Sequence, residues 1–498
     1  RSADKALQEH FGCSLKDEGI HILDPFTGTG TFPVRMMESG LIPPDMLPLK
    51  YRYELHANEI VLLAYYIAAI NIETVFDEIN GPDEGYVPFN GIVLTDTFES
   101  TEEQATLDDK LFGANNARLR EQQKEPITVI IGNPPYSVGQ KNANDDNQNE
   151  HYPKLEASIQ STYVKRSSSN LSKGLYDSYI KAFRWATDRL GDKGIVGFVT
   201  NGSYVDSGTT DGLRASLYEE FNQLYIFNLR GNQRTLGEQS RKEGGKIFGS
   251  GSRAPIAISI LIKDGSDKHE LHYHDVGDYL SREQKLNILG HAESINEVKW
   301  QNIQPDKNND WINQRDPNYQ KYAGIGNEVF CSSAVGVNTS RDAWVIGFSK
   351  EAVLKKSKYL IDNYNEALEE TTDYKKGPDL MDDTKIKWSS ALKKQFQMGH
   401  RLYFKSDDLI ETIYRPFTKK YLMYDSDIVE RPGQYYKRWG ENNLAIVTTG
   451  RGASRDFSAF VTDLIPNLHT MDTGQGFMRY DNSNDSDSLF KVGHDNMN

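Results

Sequence analysis

The run Ile-Thr-Val-Ile-Ile at residues 127–131, then Gly132 and Asn133-Pro134-Pro135-Tyr136, constrains the fold more than any other stretch of the chain. An apolar, β-branched run of this length reads as a buried parallel strand. Two consecutive prolines fix φ near −65° and restrict the residue before each of them, so the strand ends and the backbone turns rigidly at its carboxyl end. In open α/β sheets that edge is where ligands bind.

The residue types suit methylation of a planar amine. The lone pair of an exocyclic amino group is delocalised into its ring and is a poor nucleophile. The side-chain oxygen of Asn133 and the carbonyl of Pro134 can both accept hydrogen bonds from such an amine, drawing the nitrogen toward tetrahedral geometry and freeing the lone pair to attack a methyl sulfonium. Tyr136 can stack on the ring. Stacking is worth roughly 1–3 kcal/mol per base, comparable to the few kcal/mol needed to extrude a base from a duplex. The competing reading is a double-proline loop after a core strand.

Upstream, residues 20–23 form a short apolar strand ending in Asp24-Pro25-Phe26-Thr27-Gly28-Thr29-Gly30, with a helical pattern over 34–38. Gly28 and Gly30 permit positive φ and a close backbone approach, and the helix start presents unpaired N–H groups. Asp24 is placed to accept from a ligand ammonium. A strand over 53–58 ends in Glu59-Ile60, where a carboxylate can bind both hydroxyls of a ribose. A third strand, 91–95, closes with Asp96-Thr97, whose carboxylate can accept from an adenine amino group. Taken alone, Glu59 reads equally well as a solvated strand-end acid; three acids on successive strand ends favour a nucleoside-shaped pocket. The helix 61–72 is apolar nearly all round and is expected in the core.

Residues 137–173, rich in Asn, Asp, Ser and Gln, read equally as a mobile flap, with Lys154, Lys165 and Arg166 as phosphate contacts, or as a plain solvated loop. Helices follow at 175–190 and 213–221, and strands at 194–200, 223–229 and 255–262. In the loop 231–253, Phe248 either meets the second face of a base or caps the core. Beyond Lys263 the β/α alternation fades. His272, His274 and Asp275 have alternating spacing without further ligands, and no metal is expected. A helix is predicted over 349–368. The 498-residue chain should hold two or three domains. Its net charge is −14, yet residues 385–455 carry fourteen Lys and Arg against seven Asp and Glu, a net of +7. Lys419, Lys420, Lys437, Arg438, Arg451 and Arg455 lie there among aromatic residues, a pattern suited to groove and phosphate contact. Two distant cysteines suggest a reducing cytoplasm. The longest apolar run, 61–70, is well short of the ~20 residues that span a bilayer, so no membrane association is expected. Because the first residue is Arg1 and a strand begins by about Ile20, the chain is expected to be a piece of a longer polypeptide.

With both strand-end motifs in place, the chain resembles a gamma-class adenine-N6 DNA methyltransferase using S-adenosylmethionine. The cofactor motif precedes Asn133-Pro134-Pro135-Tyr136, and a recognition domain follows both. The resemblance implies a seven-stranded Rossmann-like α/β domain over residues 1–290 and a mixed α+β target-recognition domain over 291–498. Asp24, Phe26, Thr27, Gly28 and Gly30 would then cradle the methionine part of the cofactor. Glu59 with Ile60 would hold the ribose, and Asp96 with Thr97 the adenine. Asn133, Pro134, Pro135 and Tyr136 would handle a flipped base, with Phe248 as second stacking residue. The segments Asp24 to Phe32, Tyr414-Arg415-Pro416-Phe417 and Asp463 to Asn467 further resemble the methyltransferase and recognition half of Type ISP restriction-modification enzymes. In these bacterial or archaeal proteins a nuclease and an ATP-driven translocase precede this half. This sequence has no Gly-x4-Gly-Lys-Ser/Thr phosphate loop. The expected partner is double-stranded DNA. Methylation of RNA or of a protein glutamine, or a non-catalytic module that reads DNA sequence, are the rival readings.

Overall fold

The computed structural model describes residues 1–81, 85–102, 109–135, 151–169, 172–249, 252–371, 381–435, 438–440, 442–450, 453, 456–481 and 494–497. Tyr136, Lys437, Arg451 and Arg455 lie outside the described residues. The chain divides into two units, Arg1–Arg315 and Asp316–Asn498.

The first unit is built on nine strands: β1 (His21–Asp24), β2 (Leu55–Glu59), β3 (Ile92–Leu94), β4 (Ile127–Gly132), β5 (Gly194–Asn201), β6 (Gln223–Arg230), β7 (Ile256–Lys263), β8 (Glu270–Asp275) and β9 (Gln301–Ile303). Their order is β3-β2-β1-β4-β5-β7-β6-β8-β9. Neighbours are parallel except that β7 runs against β5 and β6, and β9 against β8. All seven expected strands are present, but the sheet has nine. Residues 270–275, beyond Lys263 where the regular alternation is expected to fade, pair in parallel with β6. The strand order reverses between β1 and β4, and a switch point of this kind opens a crevice at the carboxyl ends of its strands. β-Branched residues explain the strands' burial: Ile22, Val129, Ile130, Ile195 and Val196 are fully or almost fully enclosed between helices on the two faces.

Three local readings change. Residues 53 and 54 belong not to β2 but to a π-helical turn, Lys50–Glu54. Lys50 is fully buried there, its ammonium donating to the carbonyls of Asp17 and Ile20 and to Glu54 at 2.5 Å, and this fixes the turn. The helix Leu62–Asn80 buries only Ala68, Ile72 and Phe76, while Leu63, Tyr66 and Ile70 are exposed; it packs by one face and is not enclosed. The supposed flap contains an ordered helix, Pro153–Ile159, continuing through a π-helical turn, Gln160–Val164. Leu155, Ile159 and Tyr163, one helical turn apart in succession, are buried in the main core, which outweighs the polarity of their neighbours.

The first unit extends to residue 315, past the boundary read at 290. β9 pairs with β8, Trp300 packs edge-on against Tyr225 at 5.2 Å, and the buried Arg214 guanidinium donates to Asp310 at 2.8 Å. These contacts hold residues 291–315 to the sheet.

His56 on β2 gives the fold a testable acid sensitivity. It is buried, stacks on His21 with centroids 5.4 Å apart, and has its pKa pushed down to about 3 by burial, with His21 and Arg189 adding to the effect. A histidine whose folded pKa lies below its unfolded value leaves the unfolded chain binding more protons, so its contribution is lost as pH falls below about 6.5. Wild type is expected to lose about 1.4 kcal/mol of unfolding free energy per pH unit below pH 6, relative to a His56→Gln variant. Urea titrations of both proteins at pH 7, 6 and 5 check this; parallel curves refute it.

Among the described residues the second unit has two four-stranded sheets and a two-stranded one. Of the larger two, one orders β10 (Ala334–Val335), β17 (Gln475–Met478), β14 (Ala445–Thr448) and β15 (Ala459–Thr462). The other orders β11 (Ile346–Gly347), β13 (Thr418–Met423), β12 (Leu409–Arg415) and β16 (Ile465–Pro466). The expected helix is present as Lys350–Glu369, with the Ser349 hydroxyl accepting from the Ala352 N–H at 3.2 Å as its cap. Leu360, Tyr364, Trp388 and Phe396 form the heart of this unit's core.

Candidate active site

The carboxyl ends of β1, β2 and β4, with the turn after β3, bring together the residues singled out in the sequence. Asp24 ends β1, paired with β2 on one side, while the preceding Leu23 is in register with Ile130 of β4 on the other. A Cβ built on Gly132 would lie 3.1 Å from Asp24 Oδ1, so the acid adjoins the backbone that leads into Asn133. Asp24 is 1% exposed; Oδ1 accepts from the Phe26 N–H at 3.1 Å, and Oδ2 has no partner. Burial pushes its pKa up to about 8; the Phe26 N–H opposes this and the nearby Glu59 charge adds to it. A buried, half-satisfied carboxyl group is costly unless something cationic meets it.

The glycine turn follows. Gly28 and Gly30 have φ of 57° and 90°. A Cβ on Gly30 would lie 3.3 Å from the Ala68 backbone, so glycine there lets the turn seat against the helix Leu62–Asn80. The Thr27 N–H donates to the Asn58 carbonyl at 3.0 Å, and its hydroxyl to the Asp24 carbonyl at 2.9 Å. Phe26 packs against Phe98 and Phe198 at 5.5 and 6.3 Å.

Glu59 is buried and in this state organises protein: Oε2 accepts from the Gly28 N–H and Oε1 from the Val61 N–H, both at 2.7 Å. It thereby ties the turn after β1 to the end of β2. Ile60 beside it is 43% exposed. Asp96 accepts from the Phe98 N–H at 2.9 Å and from the Tyr152 hydroxyl at 2.7 Å. The Thr97 hydroxyl donates to the Pro25 carbonyl at 2.5 Å. Tyr152, buried and edge-on to Phe98 at 5.5 Å, was not singled out in the sequence. Its signal was Tyr-Pro ahead of apolar residues spaced by four.

Asn133 is exposed, Pro134 buried and Pro135 exposed. Among the described residues nothing hydrogen-bonds the Asn133 amide, so a rigid backbone presents an unengaged acceptor at the switch point. Phe248 is half-buried against the cluster of Phe227, Leu229 and Ile256. The loop before it is held from the helix Arg282–His291: Lys285, fully buried, donates to the carbonyls of Glu243 and Gly245 at 2.7 and 2.8 Å, and Arg282 to that of Ile247 at 2.7 Å.

Among the expected DNA contacts, Arg166 pairs with Glu219, and Arg438 donates through Nε to Asp481 Oδ1 at 2.8 Å. The Lys154 N–H donates to Glu102 at 3.0 Å, and the residue is exposed. Lys419 is exposed, and Lys420 lies over the Tyr414 ring at 3.8 Å. His272 has both ring nitrogens engaged, with Asn302 and Gln223, and His274 meets the Lys299 carbonyl. Among the described residues no helix is long and apolar enough to cross a membrane.

A sheet whose first seven strands are parallel except for a reversed seventh, carrying a glycine turn after the first strand and Asn-Pro-Pro after the fourth, is the architecture of the methyltransferase class. Comparison with known proteins shows what the chain is similar to. Residues 59–234 match the Eco57I restriction-modification methylase, and residues 328–498 match the Type ISP C-terminal specificity domain. Three solved structures are similar over 100% of this chain. One is a nuclease-deletion mutant of the Type ISP restriction-modification enzyme LlaGI in complex with a DNA substrate mimic, 50% identical with a TM-score of 0.91. Another is the ATP-dependent Type ISP enzyme LlaBIII bound to DNA, 42% identical with a TM-score of 0.88. The third is a DrdV–DNA complex, 32% identical with a TM-score of 0.87. The chain spans 41%, 34% and 49% of those three chains. Comparison with curated proteins gave no match. Over its whole length the chain is thus similar to the methylase and specificity portion of Type ISP restriction-modification enzymes.

Proposed function

We propose that this chain transfers a methyl group from S-adenosylmethionine to the N6 amine of an adenine flipped out of duplex DNA, at a site read by residues 316–498, within a larger restriction-modification polypeptide bearing a nuclease and an ATP-driven translocase. The observation that carries the reading is the close packing of Asp24 against Gly132, where an added Cβ would lie 3.1 Å from Oδ1, because it sets a cation-seeking carboxyl group beside the backbone that presents Asn133.

The residues present fit the cofactor. The unpartnered Oδ2 of Asp24 suits an ammonium group, and the left-handed turn at Gly28 and Gly30 allows close backbone approach. Glu59 and Ile60 would hold the ribose, and Asp96 and Thr97 the adenine. When bound, S-adenosylmethionine supplies a methyl group activated by its sulfonium. Asn133 and the Pro134 carbonyl accept the two N–H bonds of the target amine and favour a tetrahedral nitrogen. Tyr136 and Phe248 are the candidate stacking groups, and the nitrogen's surplus proton passes to solvent after transfer.

The test is transfer of labelled methyl from S-adenosylmethionine to mixed-sequence duplex DNA, with single-stranded RNA and a glutamine peptide in parallel and nucleoside analysis of the product. N6-methyladenine from duplex alone is the expected outcome. Label in RNA or peptide, or in a cytosine product, overturns the substrate assignment.

A further inference from the structure

The second unit carries an exposed aromatic side chain in a backbone conformation that phenylalanine rarely adopts. β12 and β13 form a hairpin in which Arg415 pairs with Thr418, leaving Pro416 and Phe417 as the turn. Phe417 has a φ of 61°. After a proline at the first central position of a turn, a positive φ is usually taken by glycine or asparagine, so this residue is strained. It is also 87% exposed, the ring meeting Phe460 of β15 edge-on at 5.4 Å. Beyond that one edge-on contact the exposed phenyl group adds nothing to the core, and strain held by a well-packed scaffold points to a use for the side chain.

The surroundings indicate what it meets. Lys419 and Lys420 follow after Thr418. The Lys420 ammonium sits 3.8 Å from the Tyr414 ring centroid and 4.8 Å from that of Phe348, which is 72% exposed. The Arg415 guanidinium lies 4.1 Å from the Tyr414 centroid, and the Tyr414 hydroxyl donates to Asp342 at 2.9 Å, which fixes the platform. Against these three cations stand Asp342, engaged by Tyr414, and Asp463, 4.0 Å from Lys419. A protruding apolar ring flanked by cations is complementary to a base step flanked by phosphates.

We propose that Phe417 is a wedge that enters the base stack of duplex DNA, with Lys419 and Lys420 holding the adjoining phosphates. The inference rests on the reading of this unit as the part that reads DNA. It adds a distortion of the duplex made by the second unit, separate from extrusion of the target base. Shape-dependent readout then contributes to recognition, since the cost of unstacking depends on the step unstacked.

The probe is a duplex retained by the wild-type chain from a random-sequence pool, carrying 2-aminopurine at successive positions. Phe417→Gly removes the ring and relieves the backbone, so its melting temperature is expected to equal or exceed that of wild type. Its affinity is expected to fall at least tenfold with the salt slope unchanged, and the 2-aminopurine signal at one step is expected to vanish. Phe417→Leu should restore part of both. Lys419→Ala and Lys420→Ala should each reduce the salt slope by about 1. Wild-type binding with an unaffected Phe417→Gly variant overturns the wedge and leaves the proposed function standing. No retention of any duplex by wild type overturns both, and preferential capture of a protein or peptide by this face overturns the choice of partner.

Discussion

Replacing Asn133 by alanine is expected to lower methyl transfer by at least 10²–10³-fold, the size of effect seen when one preorganised hydrogen-bonding group is lost from a reacting centre. The reasoning is structural as well as chemical. Asn133 is exposed, follows the buried Gly132 and precedes the buried Pro134, so the backbone holding it does not depend on its side chain. Truncation leaves no buried group unpaired and should change unfolding free energy by no more than about 0.5 kcal/mol. Duplex affinity should be retained, because under the proposed function the amide serves the amine in transfer, and among the described residues it makes no contact that holds the fold. Single-turnover rates, duplex affinity and melting temperature, measured on the same preparations, separate these effects. Equal losses of rate and affinity would mean that Asn133 binds DNA and does not act on the amine.

Much of the site was legible because its elements are local. A β-branched run, a proline pair and a Gly-x-Gly turn each specify backbone within a few residues, and the acids at strand ends inherit their positions from the strands. What escaped the sequence is non-local. β8 contains His272 and His274, whose polarity hides the strand, and its place is decided by hydrogen bonds to β6, more than forty positions earlier in the register Gln223↔Glu270. Lys50 reads as a solvated lysine, yet carbonyls from residues 17 and 20 and the Glu54 carboxylate gather round it. The role of Tyr152 depends on Asp96, which is distant in sequence and adjacent only once folded. In the second unit the strands are two to seven residues long and, outside the β12–β13 hairpin and the β14–β15 pair, join across large separations, as with Ala334 and Gly476. Charge counting found the basic island but not its geometry. Arg438 turns inward to Asp481, while Lys420 lies on an aromatic platform.

Asp24 offers the second large effect, and its sign differs from that of an ordinary salt-bridged carboxylate. Its folded pKa is raised to about 8, chiefly by burial, so between pH 3.8 and 8 the folded chain keeps a proton that the unfolded chain has lost. The unfolded state therefore binds fewer protons, and this residue lowers stability as pH rises through that window. By pH 7 the penalty amounts to as much as roughly 4 kcal/mol, an upper figure since local opening relieves part of it. A cationic ligand would reverse the balance: under the proposed function the ammonium group of S-adenosylmethionine stabilises the carboxylate, and binding expels the proton. Affinity is expected to rise by up to tenfold per pH unit from pH 5.5, flattening toward pH 7.5 as the ligand's own amine, with an ordinary pKa of about 7.7–8.0, begins to lose its proton. Calorimetry at pH 6.5 in buffers of different ionisation enthalpy should register close to one proton released per cofactor bound. In Asp24→Asn the release should disappear, affinity should fall by about 100-fold or more, and the fold should be more stable at pH 7 than wild type. Stability gained together with binding lost identifies a residue held in an unfavourable state for its ligand. A wild-type affinity flat across pH 5.5–7.5 would show instead that Asp24 remains protonated in the complex and that the ammonium group is met elsewhere.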